Sequence, residues 1–153
     1  MKKLYLCSII LLLLLGCSRP NLIERRIGDR VNNCKPNTAC IIKITEITNF
    51  QWDKMYVFET SPSAERMTEI MGTPPPYFSE FTKHIVFLKD GKIVHYEQNP
   101  TGISEVLDGE VGFGDSNKGY HLFTPETAVF KAEKKNFKSG IDHYSLKQIN
   151  DPF

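Results

Sequence analysis

Hydrophobic residues follow two different patterns along this chain. Leu4 to Leu15 is an almost unbroken apolar run behind Lys2 and Lys3. From residue 40 onwards the apolar positions come in short stretches, separated by polar, glycine and proline clusters. Short apolar stretches are typical of β-strands, whereas apolar positions three and four residues apart are typical of an amphipathic helix. The pattern therefore predicts a leader followed by many strands and few helices.

The first strands are predicted from residue types. β-Branched residues dominate Cys40 to Thr48, which predicts a strand. Met55 to Phe58 is apolar at every position, which is typical of a strand covered on both faces. Trp52, the only tryptophan, is expected to fill the core where this second strand begins.

One helix is indicated by both of its ends. Ser61 is a hydroxyl N-cap, and Pro62 stands at the first helical position, where its missing N–H is no loss. Gly72 suits the left-handed position after a helix. Pro62 to Met71 is therefore predicted as a helix, and its apolar stripe, with Met67, is expected to pack into the core.

A hairpin is predicted around Asp90-Gly91, which lies between two apolar stretches and suits a type I′ turn of two residues. If the register continues without interruption, His84 lies opposite Glu97, and His95 is a diagonal neighbour of His84.

The rest of the chain predicts further strands and loops. Strands are expected near Gly119–Phe123, Thr127–Ala132 and Tyr144–Ile149, with a loop over Thr101–Lys118 and a hairpin tip over Lys131–Lys138. The order of elements predicts an α+β fold, in which a mainly antiparallel sheet of about five to six strands carries one principal helix.

The leader ends in Leu14-Leu15-Gly16-Cys17. A charged start, a short apolar core and a small residue before the cut are features of a secretory signal, and the run is shorter than the roughly 20 residues of a transmembrane helix. The motif resembles the bacterial lipobox, which implies that residues 1–16 are cleaved and that Cys17 is acylated. An ordinary cleaved signal and an uncleaved anchor are the alternatives.

Acylation of Cys17 implies a place in the cell. Two or more acyl chains hold a protein stably on a bilayer. Ser18 follows the cysteine, which resembles the signal for transport to the outer membrane of Gram-negative bacteria. The lipid bilayer is thus one expected partner. The expected localisation is the cell envelope, lipid-anchored, and for a Gram-negative cell the outer membrane, facing the periplasm.

Residues 17–33 are predicted to be a lipidated tether, and residues 34–153 a single α+β domain. The tether is polar and rich in arginine, so it either lies against anionic headgroups or is a solvated linker, which we prefer. Leu22, Ile23 and Ile27 offer a third interpretation, a short helical turn.

Cys34 and Cys40 are an even pair in a chain predicted to be exported, which indicates a disulfide. A metal or redox pair is the alternative, but the spacing is not CxxC. Cys7 leaves with the leader. The chain carries 19 Lys and Arg against 18 Asp and Glu, a near balance that argues against a nucleic-acid partner.

Candidate chemistry is sparse. His84, His95 and Glu97 form a zinc-type ligand set in the predicted hairpin, although no HExxH spacing is present. No GxSxG nucleophile pattern occurs either. We therefore expect no enzymatic activity, no cofactor and no metal, and we keep a metal-binding or hydrolytic lipoprotein only as an alternative.

The glycine-rich and acidic segment from residue 105 to 115 is the candidate partner-binding loop, since loops on rigid scaffolds often carry function. Its candidate contact residues are Glu105, Asp108, Glu110, Phe113 and Asp115.

Two motifs resemble a known pattern. They are the stretch Phe50-x-Trp52-Asp53-Lys54-Met55-Tyr56-Val57-Phe58 and the hairpin Phe87-Leu88-Lys89-Asp90-Gly91-Lys92. Together with Phe123-Thr124-Pro125-Glu126, they resemble small exported bacterial lipoproteins of unassigned function, over about Ile44 to Phe130. The resemblance implies a fold and no catalytic residue.

The leading hypothesis is a non-enzymatic, membrane-anchored lipoprotein that binds another envelope protein. The alternative of the same class is a periplasmic immunity or inhibitor lipoprotein that blocks a toxic enzyme.

Overall fold

The computed structural model describes residues 22–35, 38–59, 62–102, 107–137 and 140–149. Its elements confirm the predicted α+β class. The helices are α1 (Leu22–Asn32), α2 (Ile44–Ile47) and α3 (Ala64–Met71). The strands are β1 (Cys40–Lys43), β2 (Lys54–Phe58), β3 (Thr82–Lys89), β4 (Lys92–Pro100), β5 (Glu110–Gly112), β6 (His121–Phe123), β7 (Val129–Asn136) and β8 (Asp142–Gln148).

The described strands divide into two sheets of four, where the sequence had predicted a single sheet of five to six strands. The first sheet has the order β1-β7-β8-β5, and the second sheet has the order β4-β3-β2-β6. Pairing is antiparallel in both sheets except between β5 and β8, which are parallel. The segment predicted as one long loop therefore contains β5, and β7 continues into the predicted hairpin tip.

The two sheets and the helices enclose two cores. The sandwich core contains buried residues of α1 and of both sheets, among them Ile23, Ile27, Ile42, Met55, Val57, Ile85, Phe87, Phe130 and Leu146. Trp52 is only 6% exposed, as predicted, and it meets Phe87 edge-on. The outer core lies between the opposite face of the second sheet and α3, and contains Tyr56, Phe58, Met67, Met71, Val86 and Leu88. The side chains of Met55 to Phe58 thus pack alternately into the two cores, which confirms a strand covered on both faces.

Helix α1 corrects the predicted tether. Ile23, Ile27 and Val31 recur every four residues and are buried in the sandwich core, so residues 22–32 are not a solvated linker. The interpretation as a helical turn was the right one, and the helix is longer than that turn. Charged residues between the apolar ones made the helical spacing hard to recognise. The folded domain includes Leu22 rather than starting at Cys34.

The predicted disulfide is present. Cys34 and Cys40 are bonded, with their Cα atoms 5.7 Å apart, and they join the end of α1 to β1. The predicted strand over Cys40 to Thr48 is shorter than expected, because the chain turns into α2 at Ile44, where the Ile44 amide donates to the Ala128 carbonyl.

Helix α3 ends at the predicted position but begins later than predicted. Gly72 has φ +77°, the left-handed conformation expected after a helix. The N-cap is Ser63, whose hydroxyl accepts a hydrogen bond from the Arg66 amide at 3.2 Å. The N-cap predicted at Ser61 was therefore placed two residues too early, and Ser61 itself lies outside the described residues.

The hairpin has the predicted turn and a register that was not predicted. Asp90 and Gly91 both have positive φ, at 50° and 74°, as a type I′ turn requires. Beyond the first two pairs, the register shifts, so that Phe87 pairs with His95. One extra residue in a strand turns every later side chain to the other face. His95 and Glu97 consequently face the sandwich core side, while His84 belongs to the opposite face.

Gly28 provides a test of the docked helix. A Cβ atom at this position would lie 2.8 Å from the Tyr144 ring, so Gly28→Ala is expected to lower the free energy of unfolding by about 1–3 kcal/mol through overpacking. Asp29→Ala, at an exposed neighbouring position, is the control and should change it by less than about 0.5 kcal/mol. Urea denaturation followed by Trp52 fluorescence measures both. Equal stabilities would mean that α1 does not pack on the first sheet.

Candidate functional site

A buried lysine lies at the centre of the most unusual polar arrangement in the described chain. The Lys83 side chain is 1% exposed. Its Nζ donates to Glu24 Oε1 at 2.9 Å and to the Val111 carbonyl. Glu59 Oε2 is 3.3 Å away and Glu110 Oε1 is 3.9 Å away. We call Lys83, Glu24, Glu59 and Glu110 the Lys83 cluster.

The cluster joins elements that are distant in sequence. Glu24 is in the first turn of α1, Lys83 is near the start of β3, and Glu110 begins β5. Glu59 directly follows β2, and its Oε1 accepts a hydrogen bond from the Phe113 amide at 2.8 Å. One ammonium group therefore connects a helix and both sheets.

Burial and charge act in opposite directions on these groups. Burial raises the pKa of Glu24 to about 7, and Lys83 offsets only part of that effect. Burial alone would lower the pKa of Lys83, but the surrounding carboxylates, Glu24 and Glu59 first, outweigh it and raise the pKa. The cluster therefore keeps its ammonium charge, and Glu24 is the carboxyl group that takes up a proton near neutral pH.

A cleft opens beside the cluster. Its volume is about 810 Å³. Its described lining includes four carboxylates and four apolar side chains. The described lining residues are Glu59, Glu65, Glu80, Glu110, Pro62, Ala64, Phe78, Phe81, Ser63, Thr101 and Gly102. We call this feature the acidic cleft. Glu59 and Glu110 belong to both the cleft and the Lys83 cluster.

The rim of the acidic cleft carries an exposed aromatic ring. Phe81 is 69% exposed, and its φ of 57° is a left-handed conformation that few non-glycine residues adopt. Its carbonyl accepts a hydrogen bond from the Thr101 hydroxyl at 3.3 Å, which ties the two sides of the rim together. Strained backbone of this kind is concentrated at functional sites.

The predicted zinc alternative is wrong in its geometry. His84 stacks on Phe78 and its Nδ1 lies 2.8 Å from the Tyr96 hydroxyl, and burial lowers its pKa to about 4. On the other face of the second sheet, His95 Nε2 lies 2.6 Å from Glu97 Oε1. Within the described ranges, no three His, Cys, Asp or Glu residues are grouped to hold a metal ion.

Glu97 has a structural role instead. Its two carboxylate oxygens accept hydrogen bonds from the Ile23 amide at 3.1 and 3.2 Å. Glu97, which lies on β4, therefore caps the amino end of α1. A carboxylate is favourable at this end of a helix because of the helix dipole.

The predicted partner-binding loop does not form one surface. Glu110 reaches the acidic cleft, whereas Phe113 is buried against Phe123 and Phe130. Asp108 accepts a hydrogen bond from the Asp142 amide, and Asp115 is exposed beside a separate depression. Glu105 and the predicted lipidation site Cys17 lie outside the described residues.

Sequence reasoning missed most of the cleft. Glu24, Glu59, Lys83 and Phe81 were not candidates. A usable signal existed at two positions, since Glu59 directly follows the fully buried strand Met55 to Phe58, and Lys83 occupies an inward position of the apolar strand β3. Their partners come from remote segments, which no spacing indicates.

No helix in the described ranges is long and apolar enough to cross a bilayer. No family model, curated protein or solved structure matches this chain.

Lys83→Met tests the cluster. The substitution leaves Glu24 buried without its cation, so the free energy of unfolding is expected to fall by about 3–5 kcal/mol. Lys89→Met, at a partly exposed lysine of the same strand, is the control and should cost no more than about 1 kcal/mol. Adding Glu24→Gln to Lys83→Met should restore part of the loss. Urea denaturation measures all variants, and a loss at Lys83 no greater than at Lys89 would contradict the assigned pairing.

Glu24 also predicts a dependence on pH. Its folded-state pKa of about 7 lies above the ordinary value of 4.5, so its contribution to stability is complete below pH 4.5 and is lost as the pH rises through about 7. The expected loss is about 3 kcal/mol, since the pKa rises by roughly 2.5 units and one unit corresponds to about 1.4 kcal/mol. Glu24→Gln should remove this part of the pH profile, whereas Glu133→Gln, at an exposed position, should leave it intact. An unchanged profile in Glu24→Gln would show that Glu24 titrates normally.

Proposed function

We propose that this chain is a lipid-anchored protein of the bacterial cell envelope, without enzymatic activity, and that it binds another envelope protein through the acidic cleft. The observation that carries the proposal is the cleft itself, a large concave site with apolar walls and several carboxylates, on a domain that starts shortly after a lipobox cysteine. Concave sites with apolar walls and few polar groups are typical of binding sites.

The chain length between Cys17 and α1 limits how far the proposed anchor can lie from the cleft. Only five residue steps separate Cys17 from Leu22, which span at most about 18 Å when extended. Glu24 in the first turn of α1 binds Lys83, and Lys83 contacts the cleft residues Glu59 and Glu110. An acylated Cys17 would therefore hold the cleft close to the bilayer, where envelope proteins are accessible.

The chemistry of the cleft favours binding over catalysis. Its innermost carboxylates have structural partners, since Glu59 accepts from the Phe113 amide and Glu110 from the Leu107 amide. The Ser63 hydroxyl caps α3. These contacts give the polar groups structural roles, and the apolar walls beside them favour binding.

The described part of the candidate loop gives the inhibitor alternative little support. A loop that plugs an enzyme's active site needs exposed side chains, but Phe113, the only aromatic residue among the predicted contact residues, lies in the sandwich core. We therefore prefer a resident envelope partner to a toxic enzyme.

Site-specific photo-crosslinking in living cells tests the proposal. A photoreactive amino acid at Phe81, on the rim of the cleft, is expected to give a discrete adduct with one envelope protein, identified by mass spectrometry. The same amino acid at Leu122, an exposed apolar position on β6, is the matched control and should not give this adduct. Cys17→Ser should abolish palmitate incorporation, release the chain from the membrane fraction and weaken the adduct. An identical adduct at both positions, or none at Phe81, would overturn the binding role of the cleft, and unchanged fractionation of Cys17→Ser would overturn the anchor.

A further inference from the structure

We propose that the acidic cleft binds a basic side chain, lysine or arginine, that the partner protein presents on a short segment. This inference rests on the function proposed above and specifies the chemistry of the partner.

The first argument is charge. Among the described residues that line the cleft, the ionisable ones are Glu59, Glu65, Glu80 and Glu110, all of them carboxylates. Behind them, the single ammonium of Lys83 already faces Glu24 as well as Glu59 and Glu110. Negative charge therefore remains in excess, and a cleft lined by one sign of charge concentrates the field on a ligand of the opposite sign.

The second argument is the walls. Phe78 is held in place by stacking on His84, with ring centroids 5.4 Å apart. Phe81 also lines the cleft, and 69% of its surface is exposed. Lysine and arginine combine an apolar stem with a charged head, and a cation near an aromatic face gains further attraction. Aromatic walls above carboxylates match that combination.

The third argument is size. A cleft of about 810 Å³ is much larger than a metal ion needs, and the described residues offer no group of metal ligands. The volume lies within the range of sites for whole ligands of roughly 300–1,000 Å³. It therefore accommodates a basic side chain together with the residues that flank it.

Peptide titration tests the inference on the full lipidated chain in phosphatidylcholine nanodiscs. The probe is a blocked glycine–serine pentapeptide with a central lysine, and the comparison peptide carries norleucine, which keeps the stem and removes the charge. We expect binding of the lysine peptide by calorimetry, at least tenfold weaker binding of the norleucine peptide, and a loss of affinity when the salt concentration is raised.

Variants of the rim locate the binding. The double variant Glu65→Gln with Glu80→Gln is expected to lower the affinity for the lysine peptide by about tenfold. Phe81→Ala is expected to lower it by about fivefold. Glu133→Gln, an exposed carboxylate on β7, is the control and should bind like the parent. Equal affinity for the two peptides, or an unchanged affinity in the double variant, would overturn the inference.

A lipid headgroup is the competing occupant. Phosphatidylethanolamine carries a primary ammonium. If nanodiscs of this lipid lower the affinity for the lysine peptide at least tenfold, the cleft binds lipid and the inference is overturned. The two proposals fail separately. A crosslinked adduct at Phe81 that persists in the Glu65 and Glu80 double variant would keep the protein-binding function and reject the basic side chain. Absence of any adduct would reject the function, while the titration still decides whether the cleft prefers a cation.

Discussion

The buried ammonium of Lys83 is the interaction on which the arrangement of this domain depends. A charge that leaves water must be paired, or its burial is costly. Lys83 meets that requirement only where α1, the end of β2 and the start of β5 converge on β3. The hydrophobic cores favour compactness without direction, whereas this contact set fixes which end of the helix faces which end of the two sheets.

The same contacts connect the fold with the proposed function. Glu24 attaches the first turn of α1 to Lys83, and Glu59 and Glu110 face both Lys83 and the acidic cleft. Helix α1, which follows the proposed lipid anchor, thereby contributes to the polar contacts behind the proposed binding site. With Cys17 as the proposed anchor, the docked α1 would restrict the orientation of the cleft towards the membrane, whereas a free tether would leave it open.

The hairpin shows how one residue redistributes polar groups. The register shift between Phe87 and Leu88 places His95 and Glu97 on the sandwich side. Glu97 then caps α1, and His84 is left to stack on Phe78 at the back of the cleft. A regular hairpin would have gathered both histidines and Glu97 on one face, so the bulge replaces a potential metal site by a helix cap and a cleft wall.

The sequence alone determined the features that depend on neighbouring residues. These are the Asp90-Gly91 turn, the end of α3 at Gly72, the doubly buried strand Met55 to Phe58, the core position of Trp52 and the disulfide across a short loop. Each follows from local backbone preference, periodicity or proximity along the chain.

Only the tertiary structure decided the division into two sheets, the docking of α1, the bulge and the partners of Lys83. Lys83 and Glu24 are 59 positions apart in sequence. Pairing at such a distance is selected by the packing of the whole chain, and neither residue type nor spacing encodes it.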